Sequence, residues 1–110
     1  MESCIFCQIA NGAIPTPFVH ADDEVVVFRD IQPQAPAHLL VVPRRHIASL
    51  NETTDEQLLG RLLLAARQAA AKAGLEQYRV VVNTGPQAGQ SVLHLHLHVL
   101  GGRAMAWPPG

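Results

Sequence analysis

Hydrophobic and polar positions alternate most strictly near the C-terminus, in Leu93-His94-Leu95-His96-Leu97-His98-Val99-Leu100. A strand sends successive side chains to opposite faces, so this pattern predicts Leu93, Leu95, Leu97 and Val99 in a core. His94, His96 and His98 then line up on the other face. The apolar runs Glu24-Val25-Val26-Val27-Phe28-Arg29, His38-Leu39-Leu40-Val41-Val42 and Tyr78-Arg79-Val80-Val81-Val82-Asn83 are rich in β-branched residues and predict further strands, the second stopped by Pro43. Leu58, Leu59, Leu62, Leu63, Ala66, Ala69, Ala70 and Ala73 recur at helical spacing and predict one long helix. Thr53 or Thr54 is expected to cap it, with Glu56 or Gln57 closing a capping box, and Gly74 to end it. Cys4 to Ala10 reads as a short helix ended by Asn11-Gly12; Pro15 and Pro17 then hold the chain extended, and Asp30 to Ala37 is a proline-punctuated loop. Connections of these lengths predict an α+β fold, a mainly antiparallel sheet with the long helix across one face.

Composition narrows the function. At 110 residues, 48% of them hydrophobic, the chain suits one globular domain with one core. A net charge of −1 argues against nucleic acid or a membrane surface as partner, and 5% aromatics argues against an open base-stacking platform. No run reaches membrane-spanning length, and Met1-Glu2-Ser3-Cys4 does not begin a signal peptide, so a cytoplasmic location is expected. In that setting Cys4-Ile5-Phe6-Cys7 reads as metal-binding or redox-active before it reads as a disulfide. His20 is expected at the surface, and Arg44-Arg45 in a solvated turn.

Three imidazoles in alternation make a poor solvated surface and a costly buried one unless each has a partner. Two chemical uses remain open on the strand alone: a catalytic zinc held by His-x-His, or nucleophilic catalysis by one histidine with neighbours fixing its tautomer. The segment leading into the strand, Gly85-Pro86-Gln87-Ala88-Gly89-Gln90-Ser91, favours the second. Gly89 permits close backbone approach, successive amides can form an anion-binding nest, and Asn83 and Ser91 add side-chain donors. Such a loop suits a phosphoryl group better than a metal-bound water.

The run Gly89-Gln90-Ser91-Val92-Leu93-His94-Leu95-His96-Leu97-His98-Val99-Leu100 resembles the signature of the histidine triad (HIT) family. Gly101-Gly102-Arg103-Ala104-Met105-Ala106-Trp107-Pro108-Pro109-Gly110 resembles its Hint branch, the purine nucleoside phosphoramidases, and the likeness extends through Asp30 to His38. The resemblance implies the HIT fold over a single domain, residues 1–110: a five-stranded, mainly antiparallel sheet with one long helix and a short N-terminal one. It implies His96 as the nucleophile on the α-phosphorus of a nucleoside 5′-phosphoramidate. His98 would stand beside the phosphate and His38 would help to orient the nucleophile. Asn83, Gly89, Gln90 and Ser91 match phosphate-binding positions, with the Ser91 hydroxyl assisting the leaving group. Asp30 matches a ribose-binding carboxylate, and Phe6, Ile9, Phe28, Ile31 and Leu40 match the apolar walls of a nucleobase pocket. The tail with Trp107 would reach towards the active site across a homodimer. Ala106 stands where many relatives carry histidine, which leaves the amine preference open.

By the same resemblance Cys4, Cys7, His46 and His94 form a structural zinc site, with no catalytic metal required. The alternative is two reduced cysteines in a small hydrophobic cluster. The implied activity is hydrolysis of the P–N bond of adenosine or guanosine 5′-monophosphoramidates, with aminoacyl-adenylates as related substrates, through a nucleotidyl-histidine intermediate. The rival readings are a diadenosine polyphosphate hydrolase of the same fold and a nucleotide-binding regulatory module with weak hydrolysis.

Overall fold

The computed structural model describes residues 3–110. Met1 and Glu2, part of the start read above as cytoplasmic, lie outside them. Helix α1 (Ile5–Ala10) precedes strands β1 (His20–Ala21), β2 (Val25–Arg29) and β3 (Ala37–Pro43); helix α2 (Glu56–Lys72), β4 (Tyr78–Val81) and β5 (Leu97–Gly101) follow. They form a five-stranded sheet in the order β1-β2-β3-β5-β4, with every neighbouring pair antiparallel. Among the described residues no helix is long and apolar enough to cross a membrane.

The sheet is buried on both faces at its centre, which is why β2 and β3 read as continuous apolar runs. Val25, Val27, Leu39, Val41, Leu97 and Val99 pack under Leu58, Leu62, Ala65, Ala66, Ala69 and Ala70 of α2. The alternate residues Val26, Phe28, Leu40 and Val42 pack under Phe6, Ile9 and Ala10 of α1. The small residues of α2 let the helix lie close to the sheet. Its stripe differs from the expected one at three positions: Leu63 and Ala73 face outward, and Ala65 is buried. The expected threonine cap is also replaced. Asp55 caps α2, its carboxylate accepting from the Leu58 amide at 3.0 Å. At the other end Gly74, at φ +75°, carries the chain out of the helix. The Gly74 amide then donates to the Ala71 carbonyl and the Leu75 amide to the Ala70 carbonyl, closing the helix as expected.

Two charged groups do more than the sequence suggests. Arg44 is not a solvated turn residue. Its guanidinium donates to the Ala10 carbonyl at the end of α1 (2.6 Å) and to the Asp22 carbonyl (2.7 Å). Asp22 itself accepts from the Glu24 and Val25 amides at 2.8 and 2.9 Å and pairs with His20 and with Arg61 of α2. Burial works against its charge, but His20, these amides and Arg61 outweigh it and hold the carboxyl well below the usual carboxylate range. The turn between β1 and β2 is thereby tied to the middle of α2. Asp22→Ala is expected to cost about 2 kcal/mol in urea unfolding, since it strips several donors of one partly buried acceptor. Asp22→Asn, which keeps an oxygen for the amides, should cost roughly half as much.

Candidate active site

The face of the sheet under α1 carries the histidines. In the register of β3 with β5, Leu40 stands opposite His98 and His38 opposite Leu100. His38 and His98 are therefore diagonal neighbours on one face, and His38 Nε2 lies 2.8 Å from His98 Nδ1. Strand β5 begins only at Leu97, later than the alternation suggests. Before it, the Leu95 amide donates to the Ile47 carbonyl, and the chain peels away from β3. Leu95 still enters the core under α2, but Leu93 is 62% exposed instead of buried. His94 and His96 remain on the α1 side, both buried, with the Phe6 ring edge-on to His96 at 5.0 Å.

Backbone partners fix the tautomers. His96 Nδ1 donates to the His94 carbonyl at 2.7 Å, which leaves Nε2 with its lone pair. His94 Nε2 donates to the Pro43 carbonyl at 2.7 Å, which leaves its Nδ1 as the lone-pair nitrogen. His98 lies beside His96, their ring centroids 4.9 Å apart. His38 reaches His98 and not His96, so whatever orienting it does passes through His98.

Burial lowers the pKa of His38 against the pull of Asp30, and lowers that of His94 as well. Burial, with His96 and His38 close by, pushes His98 down to about 4. These imidazoles are neutral at pH 7. The unfolded chain takes up its proton near pH 6.5, whereas folded His98 does so only near pH 4. Stability present at neutral pH is therefore lost as the pH falls between those values. His98→Gln is expected to reduce the loss between pH 7 and pH 5 by about 1–2 kcal/mol, allowing for partial solvation. Urea midpoints at the two pH values would measure it, and an unchanged pH slope would show that His98 is not the acid-sensitive group.

The loop before the histidines is more self-contained than a nest. The Ala88, Gly89 and Gln90 amides donate to carbonyls of Gly85 and Pro86 at 3.0–3.1 Å. Gln90 is buried, its side chain donating to the Ala48 and Val92 carbonyls and accepting from the Gly85 amide. It braces the loop from inside and has no side-chain donor left over for a ligand. Gly89, at φ +100°, makes the turn past Asn83. The group left to meet an anion is Ser91, which is exposed and whose amide and hydroxyl have no hydrogen-bond partner among the described residues. Asn83, half-buried, stands across the same loop against Gly89.

Phe6 and Ile9 of α1 and Phe28 and Leu40 of the sheet are brought together in one buried apolar cluster. Ile31 is not part of it, being 95% exposed. Asp30 is half-buried, one carboxylate oxygen accepting from the Gln32 amide and the other 3.5 Å from His38 Nε2. Trp107, 81% exposed, lies with its ring 5.9 Å from the Arg79 guanidinium on the edge strand β4, and Arg79 also donates to the Ala106 carbonyl at 2.8 Å. The tail is thus on the sheet edge.

A second cluster adjoins the first. Cys4 Sγ is 3.2 Å from His94 Nδ1, and Cys7 Sγ is 3.4 Å from His46 Nδ1 and 3.5 Å from His94 Nδ1. The four donor atoms all lie within 4.8 Å of one another. A tetrahedral zinc with Zn–S of about 2.3 Å and Zn–N of about 2.1 Å would place sulfur and nitrogen roughly 3.6 Å apart, so this donor set fits the ion. Cys4 and Cys7 are free thiols, and burial together with Cys4 raises the Cys7 pKa, as for a thiol without a cation.

A doubly covered antiparallel sheet with tautomer-fixed histidines on one face is the architecture of a histidine triad domain. Residues 11–105 match the HIT domain family, and the chain belongs to it. An uncharacterised HIT-like protein of Synechococcus elongatus is 54% identical, over 99% of this chain and 98% of its own. The crystal structure of a HIT family hydrolase from Legionella pneumophila superposes with a TM-score of 0.94 at 48% identity, covering 98% of this chain and 100% of that one. A histidine triad protein from Clostridium difficile gives 0.91 at 39% identity, over 96% of each.

Proposed function

We propose that this chain is a purine nucleoside phosphoramidase of the Hint branch. It would hydrolyse the P–N bond of adenosine or guanosine 5′-monophosphoramidates and, by the same chemistry, aminoacyl-adenylates. The observation that carries this reading is the geometry of His96: a buried imidazole with Nδ1–H given to a backbone carbonyl and Nε2 free. Nε2 attacks the α-phosphorus and the bond to the amine breaks. Because Nδ1 keeps its hydrogen, the nucleotidyl-imidazole is cationic, and the His94 carbonyl stabilises it. Ser91 relays a proton to the departing nitrogen, which leaves as neutral amine. Water then attacks phosphorus, its proton returning through the Ser91 hydroxyl, and neutral His96 leaves. Dividing one hard displacement between two easier ones is what a nucleophilic side chain contributes. Asp30 would receive the ribose hydroxyls, and the apolar cluster of Phe6, Ile9, Phe28 and Leu40 would support the purine.

We place zinc at Cys4, Cys7, His46 and His94. When bound it would cross-link α1 to the segments around His46 and His94, a structural part outside the reaction. A homodimer accords with β4 as an open sheet edge and with the exposure of Leu63, Leu64, Tyr78 and Trp107. The test is release of free amine from adenosine 5′-phosphoramidate with EDTA present. Turnover is the expected result. AMP binding without turnover, or cleavage confined to dinucleoside polyphosphates, would overturn the assignment.

A further inference from the structure

Among the described residues, side chains able to ligate a metal gather twice: Cys4, Cys7, His46 and His94, and again Asp30, His38 and His98. The two groups have opposite backbone partners. In the first, the Pro43 carbonyl takes the hydrogen of His94 Nε2, which turns a lone pair towards the thiols. In the second, the Gln34 amide donates to His38 Nδ1 at 3.0 Å. A nitrogen that accepts cannot carry a hydrogen, so neutral His38 carries its hydrogen on Nε2. That nitrogen is 2.8 Å from His98 Nδ1 and 3.5 Å from the Asp30 carboxylate. A hydrogen thus stands where a cation would have to sit.

We infer that the Gln34 backbone amide is a positioning group that fixes the tautomers of His38 and His98 and closes the Asp30–His38–His98 cluster to divalent cations. His38 Nε2–H donates to His98 Nδ1, so the His98 hydrogen resides on Nε2. Ligation through His38 Nε2 would require an imidazolate, or a broken Gln34–His38 bond with the hydrogen moved to Nδ1. On the phosphoramidase reading, the lock keeps an N–H donor on the ring next to His96 and keeps Asp30 free for the sugar. The Gln34 side chain takes no part: it is exposed and donates only to the Gln32 carbonyl.

Long-range ¹⁵N–¹H correlation spectra of the wild-type imidazoles at pH 7 test the lock without any variant. Both His38 and His98 are expected as Nε2–H tautomers, and Nδ1–H on His38 would overturn the inference. Gln34→Ala keeps the amide and should leave these spectra unchanged. Gln34→Pro deletes the N–H, and should give a mixed His38 tautomer and uptake of one more Co²⁺ per chain, broadening the His38 and His98 signals. Its kcat should fall about tenfold with KM little changed, as for loss of an outer hydrogen-bond partner. Wild-type protein that binds Co²⁺ at His38 and His98, or a folded Gln34→Pro that keeps the tautomer and takes no extra ion, would refute it. The spectra and the cobalt count need no substrate, so they stand apart from the success of the phosphoramidase assay.

Discussion

His96→Ala is expected to lower kcat for amine release by at least about 10⁴-fold, because on the proposed mechanism it deletes the nucleophile and not a helper. On the same mechanism the remaining groups (Ser91, Asn83, His98 and Asp30) would bind the same ground state, so AMP affinity should change little. His96 is buried against Phe6, and its removal should cost about 1–2 kcal/mol of stability without loss of the fold. The two effects separate cleanly: a variant that melts slightly lower, binds AMP and does not turn over. Acid-quenched wild-type reactions should contain protein carrying a nucleotidyl group on His96, and the variant should carry none. Substantial turnover by His96→Ala would mean that water attacks phosphorus directly. The geometry of His96 would then be a binding feature.

Much of this site is legible in the sequence because it depends on local periodicity. The continuous apolar runs of β2 and β3 feed both faces of the sheet, and α2 and its stop follow from helical spacing and the glycine at 74. The errors fall where a tertiary contact overrides the local pattern. Leu93 continues the alternation but is exposed, because the Leu95 amide pairs with Ile47 and not with β3. Asp55 displaces the threonines as cap by offering a carboxylate at the right distance from the Leu58 amide. Gln90 sits in a phosphate-loop motif yet braces the loop internally, and Arg44 looks solvated yet closes the end of α1. The His38–His98 bond needs the register of β3 with β5, and the Gln34 amide has no side-chain signature at all. A sequence pattern shows which residues can do chemistry. The backbone groups that set their hydrogens become visible only in three dimensions.

Cys4→Ser is expected to give the second large effect, on stability. Cys4 is also the N-cap of α1, its Sγ accepting from the Cys7 amide at 3.4 Å. Serine is a better cap than cysteine, so the substitution preserves or improves the helix start while removing a thiolate ligand of the proposed zinc. If Cys4 and Cys7 only filled a hydrophobic cluster, the change would cost about 1 kcal/mol or less. With zinc bound to the folded state alone, free metal at a thousandfold over its dissociation constant contributes about 4 kcal/mol. In a domain of this size that corresponds to a melting temperature lower by on the order of 15 °C. Because burial and Cys4 keep the Cys7 thiol protonated in the absence of a cation, metal uptake should also release protons. Metal content by atomic absorption, proton release on zinc addition, and melting with and without a chelator should therefore move together. At saturating substrate, chemistry at His96 should suffer far less than stability does. A Cys4→Ser protein with full zinc content, or a wild type whose melting a chelator leaves unchanged, would exclude the proposed shell and leave a pair of buried thiols in its place.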